Sequence, residues 1–191
     1  MRFFITGLPR SRTAWMAAWL SEGDTICRHE PSASISSVEQ IPTLWSGCAG
    51  VSDSGLGVHL GWIIEHVRCR VLMIYRDPVA VRRSLERLVP GFDAGPYCAA
   101  LHEELSRWIG HPLVMTIPFE WMSDMRRMQS AYWWVKPGRA FDEDRFRLFD
   151  GMNIQAIPQR VLAKCAQRGD NLRSLYREFY ARLGAPHAQA A

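Results

Sequence analysis

No run of 18 apolar residues occurs in this chain, so a membrane-spanning helix is excluded. Cysteine is sparse and unpatterned. Cys27, Cys48, Cys69, Cys98 and Cys165 are odd in number and widely spaced, with no CxxC pair and no His/Cys cluster at ligand spacing. Neither a disulfide framework nor a metal site is expected, and the thiols read as reduced core residues. Lysine is nearly missing, since only Lys136 and Lys164 contribute to the 23 basic residues. The arginines are scattered rather than gathered in one stripe, which argues against nucleic-acid binding even though eight tryptophans are available for stacking. Arg2 ahead of apolar residues does not make a secretory signal, because Gly7, Pro9, Arg10 and Arg12 interrupt the apolar region too early. The chain is read as cytoplasmic. It has no internal repeat and no low-complexity linker.

What is present is an alternation of short apolar runs with helical patterns over 191 residues, 48% of them hydrophobic, enough for one domain with a substantial core. Strands are expected near 2–6, 24–28, 48–52, 70–75 and 112–117. Helices are expected near 12–21, 57–67, 79–88 and 96–109, with a helical or irregular stretch over 35–46. Such a succession builds βαβ units and a mainly parallel sheet of four to five strands flanked by helices. Residues 1–130 carry these units, and 131–191 form a C-terminal helical region. Beyond Glu120, 122–134 reads as helix, 146–149 as a short extra strand, and 158–165 and 171–183 as further helices, with 185–191 frayed.

Two strand ends carry the chemistry. The apolar run Phe3-Phe4-Ile5-Thr6 meets Gly7-Leu8-Pro9 and turns into a helix near Ser11, so unpaired N–H groups and the positive end of the helix dipole face the strand end. Arg10, Ser11, Arg12 and Thr13 add two fixed charges and two hydroxyls at the same point, a donor set suited to phosphate or sulfate. The spacing is not that of an ATP-type loop, because Arg12 falls where the second Gly of Gly-x-x-x-x-Gly-Lys-Ser/Thr belongs and Thr13 where the Lys belongs. Further on, Val71-Leu72-Met73-Ile74-Tyr75-Arg76-Asp77-Pro78 is a strand whose carboxyl end delivers Arg76, and Ser84 follows eight residues later on a helix. Asp77 ahead of Pro78 is a natural N-cap and is assigned a structural role. A net charge of +4 suits an anionic ligand.

The pattern Pro-Arg-Ser-x-Thr-x-Trp at 9–15 resembles the 5′-phosphosulfate loop of sulfotransferases that use 3′-phosphoadenosine 5′-phosphosulfate (PAPS), usually Pro-Lys/Arg-Ser-Gly-Thr-x-Trp/Leu. Arg76-Asp77-Pro78 with Ser84 is similar to their 3′-phosphate segment, and Phe119-Glu120 stands where they carry Tyr-Glu. The resemblance covers roughly residues 2–130. It implies a three-layer P-loop NTPase-like fold and transfer of a sulfuryl group from PAPS to a hydroxyl or amine of a small-molecule acceptor, leaving 3′-phosphoadenosine 5′-phosphate (PAP). It calls for no metal, no nucleic acid and no membrane, and it allows a homodimer.

The same resemblance distributes roles. Pro9, Arg10, Ser11, Thr13, Arg76 and Ser84 would hold the donor, Arg12 would add a contact where the family has Gly, and Trp15 would stack on adenine. Arg10 would also stabilise the leaving phosphate. The His that many members use as base is absent: Ser52-Asp53-Ser54 occupies its place. Other members use a Glu after the second strand, where His29-Glu30-Pro31 lies. Glu30 therefore ranks first as general base, Asp53 second, and His59 or His29 after them. Glu120 reads as a helix-start acid. Arg168-Gly169-Asp170-Asn171 faintly resembles the family's late segment over the 3′-phosphate. The Trp- and Met-rich stretches 31–47 and 120–145 are the expected acceptor walls. Two other readings stand beside this one: an ATP-dependent phosphotransferase, and a non-catalytic PAP- or nucleotide-binding module.

Overall fold

Five strands pair into one sheet in the computed structural model, which describes residues 1–89, 91, 93–152 and 154. The strands are β1 Phe3–Gly7, β2 Cys27–His29, β3 Gly50–Ser52, β4 Arg70–Tyr75 and β5 Val114–Pro118. Their order is β2-β3-β1-β4-β5, and every neighbouring pair is parallel. β1 is buried along its whole length because both faces are covered, which is why it reads as a continuous apolar run rather than an alternation.

The helices are α1 Thr13–Leu20, α2 Leu60–Val67, α3 Pro78–Leu88, α4 Gly95–Ser106, α5 Met125–Val135 and α6 Glu143–Asp150. Side-chain alternation along the strands sorts the core into two layers. Phe4, Val51, Val71 and Met73 pack with Ile63 of α2 and Leu101 of α4 on one face. Phe3, Ile5, Leu72 and Ile74 pack with Trp15 and Trp19 of α1, Met128 of α5 and Phe146 of α6 on the other. The connection from β1 runs past β3 to β2, whereas that from β3 runs back past β1 to β4. A crevice therefore opens at the carboxyl edge beside β1, where ligands of such sheets bind.

Most expected elements form, with shifts that have local causes. The stretch 35–46 becomes a 3-10 helix, Val38–Trp45, with Pro42 inside it; a missing N–H there prevents a regular α-helical ladder. The expected strand at 146–149 is instead helical. Asp142 caps α6 by accepting from the Arg145 N–H, and Glu143 and Asp144 occupy the first turn with Arg147 in the last. Phe146 and Phe149, three residues apart, then meet Trp15 together at ring separations of 6.2 Å each. The expected helices at 158–165 and 171–183 lie outside the described residues. No helix among the described residues is long and apolar enough to cross a membrane.

α6 is tied to both ends of α1. Trp15 Nε1 donates to the Phe149 carbonyl at 2.6 Å, and the Arg145 guanidinium closes the carbonyls of Ala18, Trp19 and Ser21 at 3.0, 3.1 and 2.7 Å. Those carbonyls belong to the last turn, whose acceptors have no partner within the helix.

Gly7 is required where β1 ends. A Cβ there would lie 2.5 Å from the Ile74 carbonyl oxygen of the neighbouring strand, at a φ of +158°. Gly7→Ala is expected to lower stability by about 1–3 kcal/mol through this overpacking, read from urea unfolding. An unchanged unfolding midpoint would show that the β1–β4 contact yields without cost.

Candidate active site at the carboxyl edge of the sheet

Strand register decides which residues meet. Gly7 pairs with Ile74, Tyr75 pairs with Pro118, and His29 and Ile5 both pair with Ser52. The loop after Gly7, Arg76, Phe119, Glu30 and the Asp53-Ser54 turn consequently leave the sheet at one level. They surround a cavity of about 320 Å³. Its wall includes Pro9, Arg10, Arg12, Thr13, Glu30, Arg76 and Ser84 from the sequence-predicted set.

The two arginine-bearing segments touch each other directly. The Arg76 guanidinium donates to the Arg10 carbonyl, and Arg10 Nε donates to Ser84 Oγ at 3.3 Å. The loop bends sharply to allow this: Arg10 and Arg12 sit at φ 66° and 58°, a left-handed conformation that costs a non-glycine residue about 1–2 kcal/mol. Arg12 therefore occupies a backbone geometry that glycine adopts freely, and it does so as the residue preceding α1. Its guanidinium lies 3.7 Å from Asp150 of α6, both about one-third exposed, so this pair adds little stability.

Arg76 sits with its guanidinium carbon 4.1 Å above the Phe119 ring centroid, and Arg12 approaches the same ring at 6.0 Å. Burial, followed by the charge of Arg10, pushes the Arg76 pKa below its ordinary value; Glu120 acts in the opposite direction, and Arg87 and Arg12 add to the lowering. Three guanidiniums around one small cavity repel one another, and an anion placed among them lowers that energy. Asp77 caps α3 as expected, accepting from the Val79 and Ala80 N–H groups.

Other predicted residues stand elsewhere. Trp15 is 1% exposed and stacks on Trp19 at 5.3 Å, so it is core packing beneath α6 and offers no face to adenine. Its position in the first turn of α1 directs it toward the sheet rather than the loop. Asp53 is also sealed. Its two carboxylate oxygens each accept a backbone N–H, from Ser32 and from Leu56, both at 3.1 Å, and burial pushes its pKa above the ordinary 3.8. It thereby fastens the turns on either side of the β2 and β3 ends, and it does not reach the cavity. Ser11 is fully buried and its hydroxyl lacks a hydrogen-bond partner among the described residues. His59 is buried and does not line the cavity, whereas His29 does, with Nε2 4.0 Å from Glu30 Oε1. Glu30 adopts a left-handed φ of 47°, which turns it away from the strand direction of β2. Arg168-Gly169-Asp170-Asn171 lies outside the described residues.

Sequence reasoning missed Phe119, Leu85 and Leu88 as wall residues. Helical spacing from Ser84 was a usable signal for the two leucines, and the strand-end position beside Arg76 for Phe119. The expected acceptor walls also differ. Ile41, Leu44 and Trp45 of the first stretch and Met128 and Tyr132 of the second point into the two cores. Among the described residues no group of three or more His, Cys, Asp or Glu side chains is gathered to hold a metal ion.

No protein-family model matches the chain, and no curated protein matches it. Among solved structures, the chain is similar to mouse sulfotransferase SULT7A1 complexed with PAP, with a TM-score of 0.56 at 12% identity. The fold is sulfotransferase-like. The match covers 78% of this chain and 62% of the mouse protein, so this chain spans less than two thirds of that relative.

The buried Asp53 gives a pH test with a defined sign. Its raised pKa means that the folded chain holds this proton more tightly, so the associated stabilisation is complete below pH 3.8 and is lost as pH rises through the raised value. The stability of the parent minus that of Asp53→Asn, from chemical unfolding at stepped pH, is expected to fall as pH climbs above 3.8. A difference that grows with pH would contradict this assignment.

Proposed function

We propose that the chain is a PAPS-dependent sulfotransferase acting on a small acceptor through a hydroxyl or amine. The observation that carries the reading is the meeting of Arg10, Arg12 and Arg76 around one cavity, joined through the Arg10 carbonyl and Ser84. The sulfotransferase-like fold supports it.

The residues present fit an adenine nucleotide carrying phosphates at two ends. Arg76 and Ser84 hold the 3′-phosphate, while the loop amides with Arg10, Arg12 and Thr13 hold the 5′ end. When bound, PAPS supplies the sulfuryl group that the acceptor takes as PAP departs. Arg10 offsets the negative charge that grows on the 5′-phosphate oxygen, a fixed positive group placed before the reaction begins. Glu30, the carboxylate on the cavity wall, takes the acceptor's proton on a carboxylate oxygen, with His29 beside it. Asp53 serves the site by holding its two turns. Glu30, His29 and Ser54 add polar groups to the cavity wall beside the apolar Leu85, Leu88 and Phe119, a lining that suits a small acceptor with a polar reacting group.

Isothermal titration with PAP tests the donor site. Binding is expected for the parent, and Arg76→Ala is expected to weaken it about 10- to 100-fold through loss of a charged hydrogen-bonding group. Absence of PAP binding by the parent, or stronger thermal stabilisation by ATP with Mg²⁺, would sink the reading and favour a phosphotransferase. Glu30→Gln is expected to keep PAP affinity and to lower turnover in a labelled-sulfate transfer screen by about 10²- to 10⁴-fold. PAP binding by a parent that transfers no label in that screen would leave a nucleotide-binding module instead.

A further inference from the structure

Phe119 stands at the end of β5, one residue beyond the Pro118–Tyr75 pairing, as Arg76 stands one residue beyond it on β4. The ring packs against the core layer shared by α1 and α5. The Arg76 guanidinium carbon lies over it at 4.1 Å from the centroid, and that of Arg12 at 6.0 Å. We propose that Phe119 is a positioning residue for the anion site, its ring face holding Arg76, and more weakly Arg12, ready for the oxyanion. This inference rests on the donor-binding reading above and gives that site a residue outside the phosphate-binding motifs.

The choice of an aromatic ring has a physical reason. Three like charges around one cavity drive the side chains apart, and a long arginine loses about 2 kcal/mol of rotamer freedom when fixed. A carboxylate would fix the guanidinium but would occupy its N–H donors and cancel its charge, competing with phosphate. The negative face of an aromatic ring attracts the cation from above and leaves the in-plane N–H donors for an oxyanion. Arg76 combines the two contacts: its guanidinium carbon lies over the ring, and one of its nitrogens donates to the Arg10 carbonyl. Arg12, by comparison, has a carboxylate neighbour in Asp150 at 3.7 Å and only a distant approach to the ring.

The test compares Phe119→Leu, which keeps apolar bulk and loses the ring, with Phe119→Tyr, which keeps both. Phe119→Leu is expected to weaken PAP binding about 3- to 30-fold with unfolding behaviour close to the parent, and Phe119→Tyr to bind within about twofold of it. In an Arg76→Ala background, Phe119→Leu is expected to add no further loss. Equal PAP affinity of parent and Phe119→Leu overturns the proposal while leaving the donor site standing. So does a loss that Phe119→Tyr shares, or one that persists undiminished without Arg76. Should the parent fail to bind PAP, the donor reading falls separately, and the same variants are titrated with inorganic pyrophosphate. There, a ring-dependent loss that vanishes without Arg76 upholds the positioning role, and indifference to the ring removes it.

Discussion

The contact on which the site depends is the donation from the Arg76 guanidinium to the Arg10 carbonyl. It joins the end of β4 to the turn after β1, two places 66 residues apart in sequence. Its acceptor is available only because Arg10 takes a left-handed conformation, and it lies within reach only because Gly7 lets β1 run closely against Ile74. Backbone permissiveness at one residue, strain at the next but two, and a cation from the neighbouring strand thus form one device.

That device is held under electrostatic tension. Arg10, Arg12 and Arg76 gather around one cavity, with Asp150 beside Arg12 and the charge of Glu120 acting on Arg76. Sites arranged for a ligand commonly lower the stability of the unliganded fold, and the remainder of the chain must offset it. Here the offset comes from a sheet buried on both faces and from the aromatic layer of Trp15, Trp19, Phe146 and Phe149 beneath α6. By contrast, the half-buried Glu22 with Lys136 at 2.7 Å, Tyr132 and Arg145 is a satisfied ionic group that does not line the cavity.

Much of this was legible in the residues because strand ends and turns are local. The Gly7–Thr13 loop and the Arg76-Asp77-Pro78 end announce themselves by turn chemistry and charge, and the structure joins them as a parallel sheet requires. Trp15 and Asp53 show where local reading stops. An aromatic in the first turn of a helix has the same sequence appearance whether it faces a nucleotide or a core, and α6, about 130 residues away, makes the choice. A carboxylate at a strand end likewise looks like a base until two backbone N–H groups of neighbouring turns claim both of its oxygens. Phe119 is visible in the sequence as part of Phe119-Glu120 but without a role at the site, because its partner is a cation from another strand and no periodicity records that.

The closure of α1 by Arg145 has a mechanical consequence. A short helix anchored at its far end by a side chain from α6, and at its near end by the loop, behaves as a strut between the cavity and the back of the molecule. Thermal fraying of α6 would release the strut's rear bearing while the sheet is still intact. The cavity mouth would then loosen at temperatures where bulk secondary structure persists.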